Sequence, residues 1–325
     1  MKRSRKMLPG SLPEGWKTWE RAAARGEARA QFMLGVRYRD GEGVAQDFAQ
    51  ACLWLEKAAA QGLAMAQYTL GELYNDGGSV ARDSARARLW FEKAATQGVA
   101  KAQCALAGMN SYLWTDDPEE VARARHWYEK AATQGVAGAQ YALGMLYAWS
   151  GQRDYAQARL WYEKAAAQGH AQAQLGLAWL YCEGKGGAQD DAQARAWLEK
   201  AAAQEHWQAQ YALGELWRDG RGGAQDAEQA YYWFGKAAEH GEARARDVVQ
   251  AGAAQGHAQA QYAQGRLYLT GRGVTQDDAQ ARHWFAKAAA QGHAKAQCAL
   301  GTLCESGCGM AQDAVQARHW YEQAA

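Results

Sequence analysis

The dipeptide Ala-Gln returns along this chain at Ala30, Ala66, Ala102, Ala139, Ala173, Ala209, Ala260 and Ala296. The intervals are 36, 36, 37, 34, 36, 51 and 36 residues. Tryptophan keeps the same beat at Trp54, Trp90, Trp127, Trp161, Trp197, Trp233, Trp284 and Trp320, and it shares the single long interval. Self-similarity at such a period marks an architecture in which each unit contacts mainly its neighbours. It overrides the prior of roughly two domains that a chain of 325 residues would otherwise suggest.

One unit can be read from Ala28, "ARAQFMLGVRYRDGEGVAQDFAQACLWLEKAAAQG". Ala30, Leu34, Arg37 and Tyr38 fall at helical spacing. Gly41 and Gly43 supply the open backbone that ends a helix. Asp47 is placed to cap a second helix, as are Asp83, Asp190, Asp226, Asp277 and Asp313 in later units. Ala51, Trp54, Leu55 and Ala58 then form a stripe at i, i+3, i+4 and i+7, and Gly62 closes the helix. Each unit is an antiparallel helix pair that cannot bury its apolar face alone, so the expected fold is an all-α solenoid. Only three prolines occur, at Pro9, Pro13 and Pro118, in keeping with helix almost throughout.

Three places depart from the pattern. Residues 108–120, "GMNSYLWTDDPEE", lack the glycine turn, although Asp117-Pro118 still starts a helix well. The loop from Trp149 to Tyr155 is short. The 51-residue interval contains "GEARARDVVQAGAAQGHAQAQ", residues 241–261, where one unit lacks 21 residues and has room for a single helix. The expected organisation is a tail and lead-in capping helix at 1–27, six repeats at 28–240, a truncated single-helix unit at 241–257 that breaks the solenoid locally, and two repeats at 258–325.

Lys and Arg total 36 against 35 Asp and Glu, a net charge of +1, which lacks the basic footprint of a nucleic-acid binder. The short basic run Lys2–Lys6 reads as a solvated terminus. Pro9-Gly10 interrupts any apolar leader segment, and no stretch approaches the 18 or so apolar residues of a membrane span. These features point to the cytoplasm without membrane insertion, with export as the alternative if the true start lies upstream.

The stretch from Ala66, "AQYTLGELYNDGGSVARDSARARLWFEKAATQG", resembles a Sel-one-like repeat, a relative of the tetratricopeptide repeat. The matching elements are Ala-Gln, Leu-Gly, Leu-Tyr, the paired glycines and valine, the capping aspartate, and Trp-x-x-Lys-Ala-Ala. About eight full units cover nearly all of 28–325. The resemblance implies a right-handed superhelical α-solenoid that serves as a scaffold or adaptor for other proteins, common in bacterial signalling and host-interaction settings. It names no particular partner. Some cysteine-rich members are described as penicillin-binding or β-lactamase-like, with two cysteines per unit. Here the corresponding slots hold residues such as Ala59 and Gln67, which disfavours that hydrolase alternative. A further alternative is an exported or envelope-associated factor of the same fold, binding host or cell-wall components.

Comparing the units with one another locates a candidate surface. Leu34, Leu70, Leu143, Leu213 and Leu300 hold one constant interior slot. Three other first-helix slots vary and share one helical face, through spacings of four and seven. They give the candidate partner-binding residues Phe32, Val36 and Arg39; Tyr68, Glu72 and Asn75; Tyr141 and Met145; Trp179; Tyr211, Glu215 and Arg218; and Tyr262 and Arg266. By resemblance to tetratricopeptide repeats, this face lines a concave groove suited to a peptide or a partner's helix. Packing of the aromatic slot against the adjacent repeat is the competing reading. Cys52, Cys104, Cys182, Cys298, Cys304 and Cys308 occupy packing slots, and all eight histidines sit in repeat register. No nucleophile, metal-ligand or phosphate-loop motif is present. The sequence therefore implies no catalytic residue, no metal and no cofactor.

Overall fold

A computed structural model describes residues 14–77, 81–110, 117–151, 153–308 and 311–325. The basic run Lys2–Lys6, the rest of the tail at 1–13 and Ser111, the counterpart of Arg39 and Asn75, lie outside the described residues. The described chain is helical throughout and divides into two compact units at Arg153 and Asp154.

The first unit holds α1 (Glu14–Ala24), α2 (Ala28–Asp40), α3 (Phe48–Ala60), α4 (Ala64–Asp76), α5 (Ser84–Thr96), α6 (Ala100–Asn110), α7 (Pro118–Thr133) and α8 (Ala137–Trp149). Each helix packs against the next. The second holds α9 (Tyr155–Ala167), α10 (Ala171–Glu183), α11 (Asp191–Ala203), α12 (Trp207–Asp219), α13 (Ala227–Glu239), α14 (Ala243–Ala254), α15 (Ala258–Thr270), α16 (Asp278–Ala289), α17 (Ala294–Ser306) and α18 (Ala314–Ala324). Sequential packing continues here, and α13 additionally packs directly on α15 across the single helix α14. The lead-in helix α1 packs on α2, with Ala22 and Ala23 buried.

The local signals in the sequence explain the boundaries. Asp47, Asp83, Asp190, Asp226, Asp277 and Asp313 each accept a hydrogen bond from a backbone N–H in the first turn of a second-type helix. Asp117 caps α7 with Pro118 at its first position. Asp154 caps α9 through the Gln157 N–H at 3.0 Å, although the shortened loop concealed it from the repeat pattern. Gly41 takes a left-handed φ of 70° and its N–H bonds the Arg37 carbonyl, which terminates α2.

Packing within a hairpin rests on a glycine opposite a large side chain twenty residues later. A Cβ on Gly71 would lie 2.7 Å from the Phe91 ring, and one on Gly214 would lie 2.8 Å from Phe234. Leu55, Phe91, Phe234 and Phe285 are thereby sealed at 0–2% exposure. Trp54 and Leu55 share one stripe, and the deep position belongs to Leu55. The tryptophans are only half-buried, and in six units the lysine three residues later lies over the ring: Lys57 is 4.4 Å from the centroid of Trp54 and Lys164 is 3.9 Å from that of Trp161. An indole has a polar N–H and a face that attracts cations, so it suits the boundary better than the core.

The glutamine of Ala-Gln explains why that dipeptide recurs. Gln31, Gln67, Gln103, Gln174, Gln210, Gln261 and Gln297 are buried, and each donates Nε2–H to the carbonyl eight residues earlier, at 3.1–3.4 Å. The Oε1 of Gln31, Gln67, Gln103, Gln174 and Gln261 accepts from a second glutamine at the end of the following helix, 30 or 31 residues on, at 2.7–2.9 Å. A ladder of amides thus locks successive repeats together and satisfies buried polar groups.

Candidate partner-binding groove

The three variable slots lie on the first-type helices, held in place by the buried leucine and glycine behind them. In the first unit Phe32, Val36 and Arg39 sit on α2, Tyr68, Glu72 and Asn75 on α4, and Tyr141 and Met145 on α8, all half-buried. The Tyr68 hydroxyl donates to Glu72 at 2.5 Å, and its ring lies 5.9 Å from that of Phe91. Burial, then the Glu72 carboxylate, pushes the Tyr68 phenol well above its ordinary range. Arg39 binds Asp40 through two nitrogens at 2.7 and 3.0 Å and feels the charge of Glu72 on the next repeat. That guanidinium holds the Asp40 carboxyl below its usual range. Tyr68 and Cys104, which share a slot, line a groove of about 430 Å³ with Lys101, Tyr128 and Ala142, so α4, α6, α7 and α8 all contribute to it.

In the second unit Trp179 sits on α10, Tyr211, Glu215 and Arg218 on α12, and Tyr262 and Arg266 on α15. Lys185 lies 4.3 Å from the centroid of Trp179, and Tyr155 meets that indole edge-on at 6.1 Å. Arg218 is exposed, bonds Asp219 at 2.8 Å and lies 4.0 Å from Glu215. Tyr211 rests on Phe234 at 5.5 Å. Tyr262 rests on Phe285 at 5.7 Å and stacks on His293 at 4.8 Å. Tyr68, Tyr211 and Tyr262 therefore each pack on the phenylalanine of their own hairpin. Arg266 is diverted: it forms two contacts of 3.2 Å to Glu239 on α13, whose side chain is 9% exposed. At this repeat the slot joins two helices that a full unit would separate.

The six cysteines are free thiols. Burial raises the thiols of Cys52, Cys104, Cys182 and Cys304, that of Cys182 to about 11, so they are protonated at neutral pH and not activated. His170 and His293 cap helices through Nδ1, which accepts from the N–H of Ala173 and Ala296. Among the described residues no cluster of three or more His, Cys, Asp or Glu could hold a metal, and no helix is long and apolar enough to cross a membrane.

A solenoid of glycine-notched helix pairs joined by a glutamine ladder, with a variable face on its first helices, defines a repeat protein of the helix-pair class. The Sel1 repeat family model matches residues 28–63, 64–99, 100–136, 137–170, 171–206, 207–242, 256–293 and 294–325, and the chain belongs to that family. Only α14 and its flanks, 243–255, fall between matches. A Sel1 repeat protein from Oxalobacter formigenes is 32% identical over 100% of this chain and 93% of its own, with a TM-score of 0.59. The protein c5321, a protective antigen present in uropathogenic Escherichia coli strains and displaying an SLR fold, is also 32% identical, over 97% of this chain and 80% of its own, with a TM-score of 0.55. No curated protein matches.

Proposed function

We propose that the chain is a non-catalytic scaffold that captures a peptide or a partner's helix on the variable face of its first-type helices. The observation that carries this reading is the contrast between slots. Leu34, Leu70, Leu143, Leu213 and Leu300 are 0–3% exposed and identical, while the neighbouring face changes its chemistry from repeat to repeat. A face that served only stacking would repeat as the interior does. Tyr68, Tyr141 and Tyr211 offer rigid rings at the floor of this surface, and Glu72, Glu215, Arg39 and Arg218 offer charge at its rim. Rings anchor and rim charges select. Asn75 and Met145 add adaptable contact area. Arg266, held by Glu239, acts on this reading as support for the surface and not as a contact.

Reversing the charges with Glu215→Lys and Arg218→Glu leaves the interior untouched. Partner capture should weaken at least tenfold, about 1.4 kcal/mol, with an unchanged circular dichroism spectrum. Capture equal to that of the native chain would rule out this part of the face. The first reading is a cytoplasmic scaffold. The likeness to c5321, described as a protective antigen, favours the second reading of an exported factor. Fractionation of the native cell decides between them, since recovery outside the cytoplasm would select the second.

A further inference from the structure

Repeats allow each position to be compared with its own counterparts, and in the second unit three departures meet in one place. The first is Glu205. The turn from a second-type helix to the next first-type helix carries a glycine elsewhere, as at Gly62, Gly98 and Gly292, with φ of 82–88°. Glu205 stands there instead at φ 62°, the one non-glycine residue with positive φ among the described residues. A side chain in that conformation is disfavoured and persists where its surroundings hold it.

The second departure is His240. It occupies the position from which Gln61, Gln97, Gln134, Gln204 and Gln291 donate to the preceding glutamine of the ladder. Without that donor, Gln210 Oε1 is buried with no hydrogen-bond partner, in a residue 2% exposed. A buried acceptor left in this state calls for an explanation. The third departure is Lys236. Its counterparts Lys57, Lys93, Lys130, Lys164, Lys200 and Lys287 all lie over their tryptophans at 3.9–4.9 Å. Among the described residues, Lys236 and Trp233 form no such pair.

These side chains converge. Glu205, Gln210, Trp233, Lys236 and His240 line one pocket of about 540 Å³. Arg272, from the loop after α15, completes the wall. It reaches this place because α15 packs directly on α13. Glu239 also borders the pocket but is taken by Arg266. That leaves one carboxylate, Glu205, and two cations, Lys236 and Arg272, lining the space together with Gln210, whose buried Oε1 lacks a donor, and an indole with no lysine over it.

We propose that this pocket binds a free α-amino acid. The ammonium group of such a ligand supplies the donor that Gln210 Oε1 lacks, neutralises Glu205 and takes the place over Trp233 that a lysine fills in other repeats. The carboxylate of the ligand meets Lys236 and Arg272. A simple anion would face Glu205 and leave Gln210 unserved. A simple cation would face Lys236 and Arg272. A zwitterion answers both sets, and the volume falls in the range of small-molecule sites.

The test is saturation-transfer NMR on the full chain with each of the common L-amino acids, followed by the N-acetyl and carboxamide forms of the best binder. At least one amino acid should bind saturably, and loss of either charge should weaken it at least tenfold. His240→Gln restores the missing ladder donor, so it should abolish binding while the melting temperature stays level or rises. Glu205→Gly should weaken binding and also raise the melting temperature. Absence of saturable binding would overturn the proposal. So would binding that survives His240→Gln, or equal binding of the neutral derivatives, and a buried water on Gln210 would then be the simpler account.

Discussion

Replacing Arg266 by alanine separates structural support from partner contact at one residue. The native guanidinium makes two contacts of 3.2 Å to the Glu239 carboxylate, with side-chain exposures of 35% and 9%. Removing one partner of a buried ion pair costs about 3–5 kcal/mol, because the other charge stays buried and unpaired. Water reaches the Arg266 side, so the cost falls below that range and about 2–3 kcal/mol is expected. The loss should be local. Arg266 and Glu239 tie α15 to α13 across α14, and we propose that residues 241–257 are where the coupling of repeats is weakest. Urea denaturation gives the magnitude, and amide hydrogen exchange gives the location. Amides of α15–α18 should exchange faster in the variant while those of α9–α12 hold. Glu239→Gln combined with Arg266→Ala should recover at least 1 kcal/mol or so, as expected for residues in contact. A loss below about 0.5 kcal/mol, the range of ordinary surface changes, would show that Glu239 is not left buried and unpaired. Exchange that accelerates evenly along the chain would show that the loss is not local.

Further outcomes follow from the same geometry. Burial lowers the His170 and His293 imidazoles from 6.5, and their capping Nδ1 atoms accept only when unprotonated. The unfolded chain therefore takes up protons first as pH falls, so stability is full above about 6.5 and declines below it. Melting temperatures at several pH values should show this slope, and replacing both residues by asparagine should flatten it; an unchanged slope would discard the assignment. Asp226→Ala removes the acceptor of the Gln229 N–H at 2.9 Å and should cost about 1 kcal/mol in urea denaturation, with Asp226→Asn close to native. Equal losses from the two variants would show that capping is not the cause. Nitrocefin should not be turned over above the buffer rate, and turnover would reopen the hydrolase reading.

Much of the fold was legible because the repeat supplies its own alignment. The interval between Trp54 and Trp90, the capping aspartates and the left-handed Gly41 are local signals, and local signals survive translation into structure. The depth of the tryptophans was not legible, since Trp54 and Leu55 share one stripe and only the glycine on the facing helix decides which is sealed. The glutamine ladder was visible as a marker but not as a function, because its bonds join side chains 30 residues apart. Comparison of the units marks the variable face, but not the contacts its side chains make. That Tyr68, Tyr211 and Tyr262 rest on phenylalanines of their own hairpins depends on facing residues in the second helix. That Arg266 is withdrawn depends on a helix that is missing, which brings α13 against α15. The pocket at Gln210 draws on Arg272, 62 residues along the chain, and no spacing rule would have gathered it.

We propose that partners meet the first-type helices. A photoreactive phenylalanine analogue at Val36 or Met145 places a crosslinker on that face, while Leu53 and Leu89, 44% and 48% exposed on second-type helices, serve as opposite-face positions. Crosslinking in the native cell, read by mass spectrometry, should give a shared partner adduct from Val36 and Met145 and none from Leu53 or Leu89. An adduct formed mainly from Leu53 or Leu89 would contradict the account.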